Sequence, residues 1–174
     1  MVMPALQEAL HAADVGRAYA LLEAGADPNE PESSVGETPL QAAITLVSKP
    51  ERRLAVVAEL LRYGADPCHL DAEGIGPLAA ACLVDDARVL EMLLRHGADP
   101  NAERGYGGYG LFCWARSHYL FYTYGPRPPE MPDPEAWNDP QRLLAFLDTM
   151  AGKHGKPRPR CLRLLWNHGA RLSA

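Results

Sequence analysis

Residues 105–110 read GYGGYG and fit G-x-G-x-x-G, a pattern whose glycines let backbone amides close on a pyrophosphate. That chemistry also needs a buried strand in front and a helix N-terminus behind. In front stands LLRHGADPNAER (93–104), a helix end and a turn with no run of β-branched residues. The glycines therefore lack the frame that would make them a phosphate cradle. Cys113 and His118 are the nearest thiol and imidazole in sequence, but a spacing of five on a helix does not aim one at the other. Glu130, Asp133, Glu135 and Asp139 lie in a proline-rich stretch with nothing evident to fix a pair of carboxylates for acid–base work. The four cysteines (Cys68, Cys82, Cys113, Cys161) form no C-x-x-C pair and have no histidine at ligand spacing. The expectation is no enzyme, with no catalytic residue, no cofactor and no metal ligand.

Lys153, His154, Lys156, Arg158 and Arg160 make a short basic run of the kind that touches phosphates. It has no interleaved aromatics and sits in a chain of net charge −5, so it reads as a solvated linker rather than a nucleic-acid surface. The charge is unevenly shared. Residues 1–100 carry 7 basic and 16 acidic side chains, and residues 101–174 carry 10 and 6. Such polarity steers a charged partner without specifying it. The N-terminus has no basic start followed by an apolar core, and no long apolar run crosses a membrane. The expected location is the cytoplasm, with reduced thiols and no membrane partner.

The elements that would position any site are set by a repeated phrase. LLEAGADPNE (21–30), LLRYGADPCH (60–69), LLRHGADPNA (93–102) and LLWNHGARLS (164–173) are versions of it. Gly64 and Gly97 are 33 residues apart, a period of stacked supersecondary units. Leu-Leu closes an apolar helix stripe, the glycine ends the helix in a left-handed conformation, and Asp-Pro opens an extended turn. Upstream lie GETPLQAAI (36–44) and GIGPLAAAC (74–82). There Thr38 is placed to cap and Pro39 to occupy the first helical position. Each unit is a turn, a short helix, a tight turn and a second helix.

These residues resemble the ankyrin repeat, with its Thr-Pro-Leu-His, paired alanines, Leu-Leu and Gly-Ala-Asp-x-Asn. The second unit has Gln41 in place of the histidine and about five extra residues around SKPER. The resemblance implies a single all-α helix-turn-helix solenoid of about four repeats, near 4–35, 36–69, 70–102 and 103–174. The last unit begins at GLFCWA (110–115), but its closing LLWNHGA arrives only at 164–170, so an insertion of about 117–159 interrupts it. Within that insertion GPRPPEMPDPEAW (125–137) is too proline-rich for a helix, whereas 139–153 reads as an amphipathic helix with Leu143, Leu144, Phe146, Leu147 and Met150 inside. In this frame GYGGYG is the finger between two units.

The resemblance further implies a non-catalytic protein-binding module, using its concave face and fingers. Eight of the thirteen aromatic residues lie between 106 and 124. Tyr106 and Tyr109 fall on the finger, Trp114 at a variable concave position, and Phe112 at a buried one. Tyr119–Tyr124 either extend the binding end or anchor the insertion. The candidate partner-binding residues are Tyr106, Tyr109, Trp114, His118 and Arg104 at this end, with Glu37, Asp71, Glu73 and Ile75 on the earlier fingers. The partner expected is another protein, met by a free monomer acting as an inhibitor, antitoxin-like immunity protein or adaptor. The small stand-alone chain and its 14 arginines against 3 lysines fit a bacterial source. The alternative from another class is an enzyme, metal or ligand site housed in 117–159.

Overall fold

The computed structural model describes residues 3–32, 36–105 and 107–172. Among these the chain forms ten helices and no strand beyond one isolated bridge between Arg104 and Gly110. The helices are α1 (Ala5–His11), α2 (Val15–Glu23), α3 (Pro39–Leu46), α4 (Pro50–Arg62), α5 (Pro77–Leu83), α6 (Ala87–Arg95), α7 (Leu111–Tyr124), α8 (Pro134–Trp137), α9 (Pro140–His154) and α10 (Arg160–Asn167). One row stacks α1 on α3, α3 on α5 and α5 on α7; the other stacks α2 on α4, α4 on α6 and α6 on α10. The fold is thus the all-α repeat solenoid expected. None of the described helices is long and apolar enough to cross a membrane.

Small residues allow the first row to close. Ala42, Ala43, Ala79 and Ala81 are fully buried between neighbouring helices, and larger side chains there would force the backbones apart. Thr38 caps α3 through a reciprocal capping box with Gln41, and Pro39 takes the first helical position. The residues around SKPER lengthen α4 to 13 residues and bring Arg53 to Asp86, the cap of α6, at 2.9 Å in a buried ion pair. A pair buried this deeply fixes register more than it adds stability.

The repeated phrase also supplies a stitch between units. Asp27, Asp66 and Asp99 each accept the amide two residues on at 2.8 Å, shaping the Asp-Pro turn. The following asparagine then reaches the next unit. Asn29 donates to the Gly64 carbonyl at 2.9 Å and accepts from the Asp66 amide at 2.7 Å. Asn101 repeats both bonds with Gly169 and Arg171, at 2.9 and 2.8 Å, across 68 residues of chain. The glycines it meets lie at φ of 91° and 85°, a left-handed turn that a side chain would strain. At the middle junction Cys68 stands in, with only a thiol 3.4 Å from the Gly97 carbonyl.

Two junctions use buried polar side chains. Gln7 donates to the Glu37 carbonyl at 2.6 Å and Gln41 to the Ile75 carbonyl at 3.0 Å, each tying a first-row helix to the next finger. At α5 neither Gln nor a capping side chain is available, because Gly76 is the cap and Ala79 occupies the Gln41 position. Glu103 fills the gap from the following turn, its two oxygens accepting from Leu78 and Ala79 amides at 3.1 and 2.9 Å. A Cβ at Gly76 would overlap that carboxylate. Burial pushes the Glu103 carboxyl up to about 7, although the hydrogen bonds from Ala79, Leu78 and Gly76 pull it down.

The insertion departs from expectation at two places. GPRPPEMPDPEAW contains α8, a single turn in which Pro134 occupies the first helical position and Asp133 accepts the Ala136 amide at 2.7 Å. Proline breaks helices only where an amide or the preceding turn is needed, and neither is needed there. The insertion boundary expected near 117 also falls inside a helix, since α7 runs 14 residues from Leu111 to Tyr124. The expected amphipathic helix is α9, with Asp139 as its cap. Leu143, Leu144, Leu147 and Met150 are buried on its inner side and Phe146 packs at the edge of the core. It covers α10, as a capping unit must.

Two predictions follow from these junctions. Asn101→Ala should lower unfolding free energy by about 1–2 kcal/mol and Cys68→Asn should raise it by about 1 kcal/mol, measured by urea denaturation. No change in either would remove the stitch from the account. Glu103 has a folded pKa above its ordinary 4.5, so its contribution is full below about 4.5 and is lost as pH rises through about 7. Stability of the wild type should therefore fall by about 3 kcal/mol more than that of Glu103→Gln across this window.

Candidate functional site

Arg104 and Gly110 pair in an antiparallel bridge at the base of the GYGGYG finger. Gly105 donates to Tyr109 at 2.8 Å and Gly108 to Gly105 at 3.0 Å, while the Arg104 guanidinium caps the Gly108 carbonyl at 2.8 Å. The Gly105 and Gly108 amides are spent inside the turn, as a finger requires, and are not open to a phosphate. Its neighbour is the finger at 71–75, joined to it by the Arg104 amide on the Gly74 carbonyl at 3.1 Å.

The finger seats an aromatic ladder. Trp114 packs against Gly105 so closely that a Cβ there would overlap its ring. One turn on, His118 lies with its ring centre 5.0 Å from Trp114 and 4.3 Å from Tyr122, so that residues 114, 118 and 122 stack along one side of α7. The spacing i, i+4, i+8 places all three on one face. Burial lowers the His118 pKa, against the pull of nearby Asp85, and its Nε2 is buried without a hydrogen-bond partner. A neutral imidazole in this stack behaves as an aromatic plate. Tyr122 is 72% exposed, Phe121 54% and Tyr109 60%, so the exposed aromatic side chains among the described residues lie on α7 and its finger.

The two readings of 119–124 divide between the two sides of the helix. Tyr119 is buried and donates to the Pro157 carbonyl at 2.7 Å, and Tyr124 meets Tyr119 and His154 edge-on. These two anchor the insertion. Arg116 adds a cation–π contact 4.4 Å over Trp137 of α8. Phe121 and Tyr122 are left outward.

The remaining candidates separate by burial and occupation. Tyr106 lies outside the described residues. Ile75 is 3% exposed and belongs to the core, so it has no side-chain surface to offer; the finger backbone turns it inward beneath Asp71. Asp71 is half-buried, and its Oδ1 accepts the Glu73 and Ile75 amides at 2.8 and 2.9 Å, which shapes the finger. Glu73 and Arg104 are exposed, and Glu37 is half-buried beside His11 at 3.7 Å. Burial raises the Glu37 pKa, with His11 opposing and Glu32 and Asp71 adding to the rise.

Two features escaped the sequence because their parts are far apart in it. Cys82 of α5 and Cys161 of α10 share one buried corner, where the Cys161 thiol is 3.5 Å from Asp85. The hydrogen bond with Cys82 and burial push the Cys161 thiol up, so it is no nucleophile at neutral pH. At the turn joining α5 to α6 a cleft of about 650 Å³ opens, lined by Arg53, Arg88, Lys156, Arg158 and Arg160 with Asp85 and Asp86. Of the basic run, Lys156, Arg158 and Arg160 are exposed on the segment leading from α9 into α10 and line this cleft, whereas Lys153 and His154 pair with Glu130.

Comparison with known proteins agrees with the geometry. A family model described as the ankyrin repeat matches residues 73–104, which run from one finger through α5 and α6 to the next. The mouse protein named ankyrin repeat and SOCS box protein 16 is 30% identical over 145 residues. That overlap covers 78% of this chain and 29% of the mouse protein, so the chain spans less than a third of its relative's length. With the all-helical architecture, these findings support an ankyrin-repeat protein whose fold is an ankyrin-type helical repeat solenoid. Such repeats are a non-catalytic module that generally mediates protein–protein interaction.

The seat of Trp114 gives a direct check. Gly105→Ala should destabilise the protein by about 1–3 kcal/mol through overpacking. Combined with Trp114→Ala, the loss should be clearly less than the sum of the two single losses, as coupled neighbours require. Additive losses in thermal or urea unfolding would mean that finger and indole are independent.

Proposed function

We propose that this chain is a non-catalytic protein-binding module whose partner lies along the fingers and the first helix row. Its binding energy would be concentrated at the aromatic end formed by Tyr109, Trp114, His118 and Tyr122, with Tyr106 on the same finger. The observation that supports this reading is the stacked ladder Trp114–His118–Tyr122, which runs from the finger at Gly105 to an exposed tyrosine, with Tyr109 exposed on the finger itself. Aromatic side chains bring large contact area with few rotatable bonds, and they dominate binding hot spots. The stack holds them before a partner arrives, which lowers the ordering cost of association. Arg104, Glu37, Asp71 and Glu73 form the polar margin of this surface and bias the approach of a charged partner. The activity is binding itself, as in a cytoplasmic inhibitor or antitoxin-like immunity protein that is monomeric when free.

A second reading rests on the 650 Å³ cleft, whose basic side chains suit a small anion and which lies at the end of the insertion. One experiment separates the two. A pull-down from native lysate should recover a stoichiometric protein. Tyr109→Ala and Tyr122→Ala should each weaken its binding by about 2 kcal/mol, roughly thirtyfold, with little change in melting temperature. Phe112→Ala, which removes a fully buried ring, should instead cost about 3 kcal/mol or more of stability. Recovery of no partner, together with saturable phosphate binding lost in Arg158→Ala/Arg160→Ala, would favour the cleft.

A further inference from the structure

His11, Glu32 and Glu37 come from three separate stretches of the first two units and converge. The His11 Nε2 lies 3.7 Å from a Glu37 oxygen and 3.9 Å from a Glu32 oxygen. All three ligand-type atoms fall within 4.8 Å of one another, the one such group among the described residues. A tetrahedral ion held at about 2.1 Å separates its ligand atoms by about 3.4 Å, so small side-chain adjustments close the set.

The backbone beneath these side chains is fixed independently. Gln7 and His11 stand four apart on α1 and therefore share a face. Gln7 holds the Glu37 carbonyl at 2.6 Å, and the Glu32 amide donates to the same carbonyl at 2.8 Å. The finger base is thus pinned to α1 by amide hydrogen bonds, and the three ligand groups project from this pinned frame. The electrostatics also ask for a cation. Among the described residues His11 is the one basic group within ion-pair distance of Glu37. Glu32 and Asp71 add negative charge around a half-buried carboxylate.

We propose that His11, Glu32 and Glu37 form a binding site for a first-row divalent cation, with zinc as the best match to one imidazole and two carboxylates. Three protein ligands leave one position for water. The ion clamps the second finger to α1 and neutralises the acidic cluster at the start of the solenoid. The site went unseen in the sequence because its ligands are 21 and 5 residues apart and lie on no common element.

The test is calorimetric titration of the reduced 174-residue chain with zinc chloride in a non-coordinating buffer, with melting temperature followed in parallel. One ion should bind per chain and raise the melting temperature. His11→Ala and Glu37→Gln should each weaken binding by at least about tenfold, as should Glu32→Gln, a second carboxylate variant that leaves the pinned backbone alone. Cys68→Ser, which removes the exposed thiol, should bind zinc like the wild type. Absence of binding up to about 1 mM zinc would overturn the proposal. So would wild-type affinity in the His11 and Glu37 variants, or loss of binding only in Cys68→Ser.

Discussion

An asparagine side chain spanning two turns is the interaction on which the rest of this molecule depends. A repeat that buries only one face has no stability alone and must be joined to its neighbours in register. Asn29 and Asn101 do this by satisfying, in the next unit, the carbonyl of the helix-ending glycine and the amide two residues on. Both groups would otherwise be left open by the end of a helix. Because Asn101 reaches Gly169, the chain between Tyr124 and Arg160 can leave the solenoid and return without disturbing the stack of α10 on α6.

That arrangement is what lets the last unit carry a longer first-row helix. Closure of α7 against α10 is secured at one end by Asn101 and at the other by the Tyr119 hydroxyl on Pro157. The insertion covers α10 through α9, so α7 can run two turns past its counterparts. Those extra turns carry His118 and Tyr122, and they lengthen what would have been one tryptophan into a stacked surface.

Much of this was legible in the residues. The repeated Leu-Leu and Gly-Ala phrases located every helix end in the second row, and Thr38-Pro39 located the start of α3, because those signals are local and each has one backbone solution. The helix at 139–153 was equally legible from its apolar period. What could not be read was long-range. Ile75 looked like a finger residue by position, yet it points into the core because Asp71 curls the turn beneath it. Glu103 gave no sign that it would cap a helix 24 residues earlier. The meeting of Cys82 with Cys161, and of His11 with Glu32 and Glu37, depends on stacking that no spacing rule encodes.

Helices α7 and α10 form one unit across the insertion. Native-state hydrogen exchange tests it most directly, through the amides of Ala170 and Arg171, which bond to the Leu165 carbonyl and to the Asn101 side chain. Both should exchange with the same opening free energy as the buried amides of α7, and with the same denaturant dependence. Exchange of Arg171 at the rate of an open loop, while α7 remains protected, would contradict it.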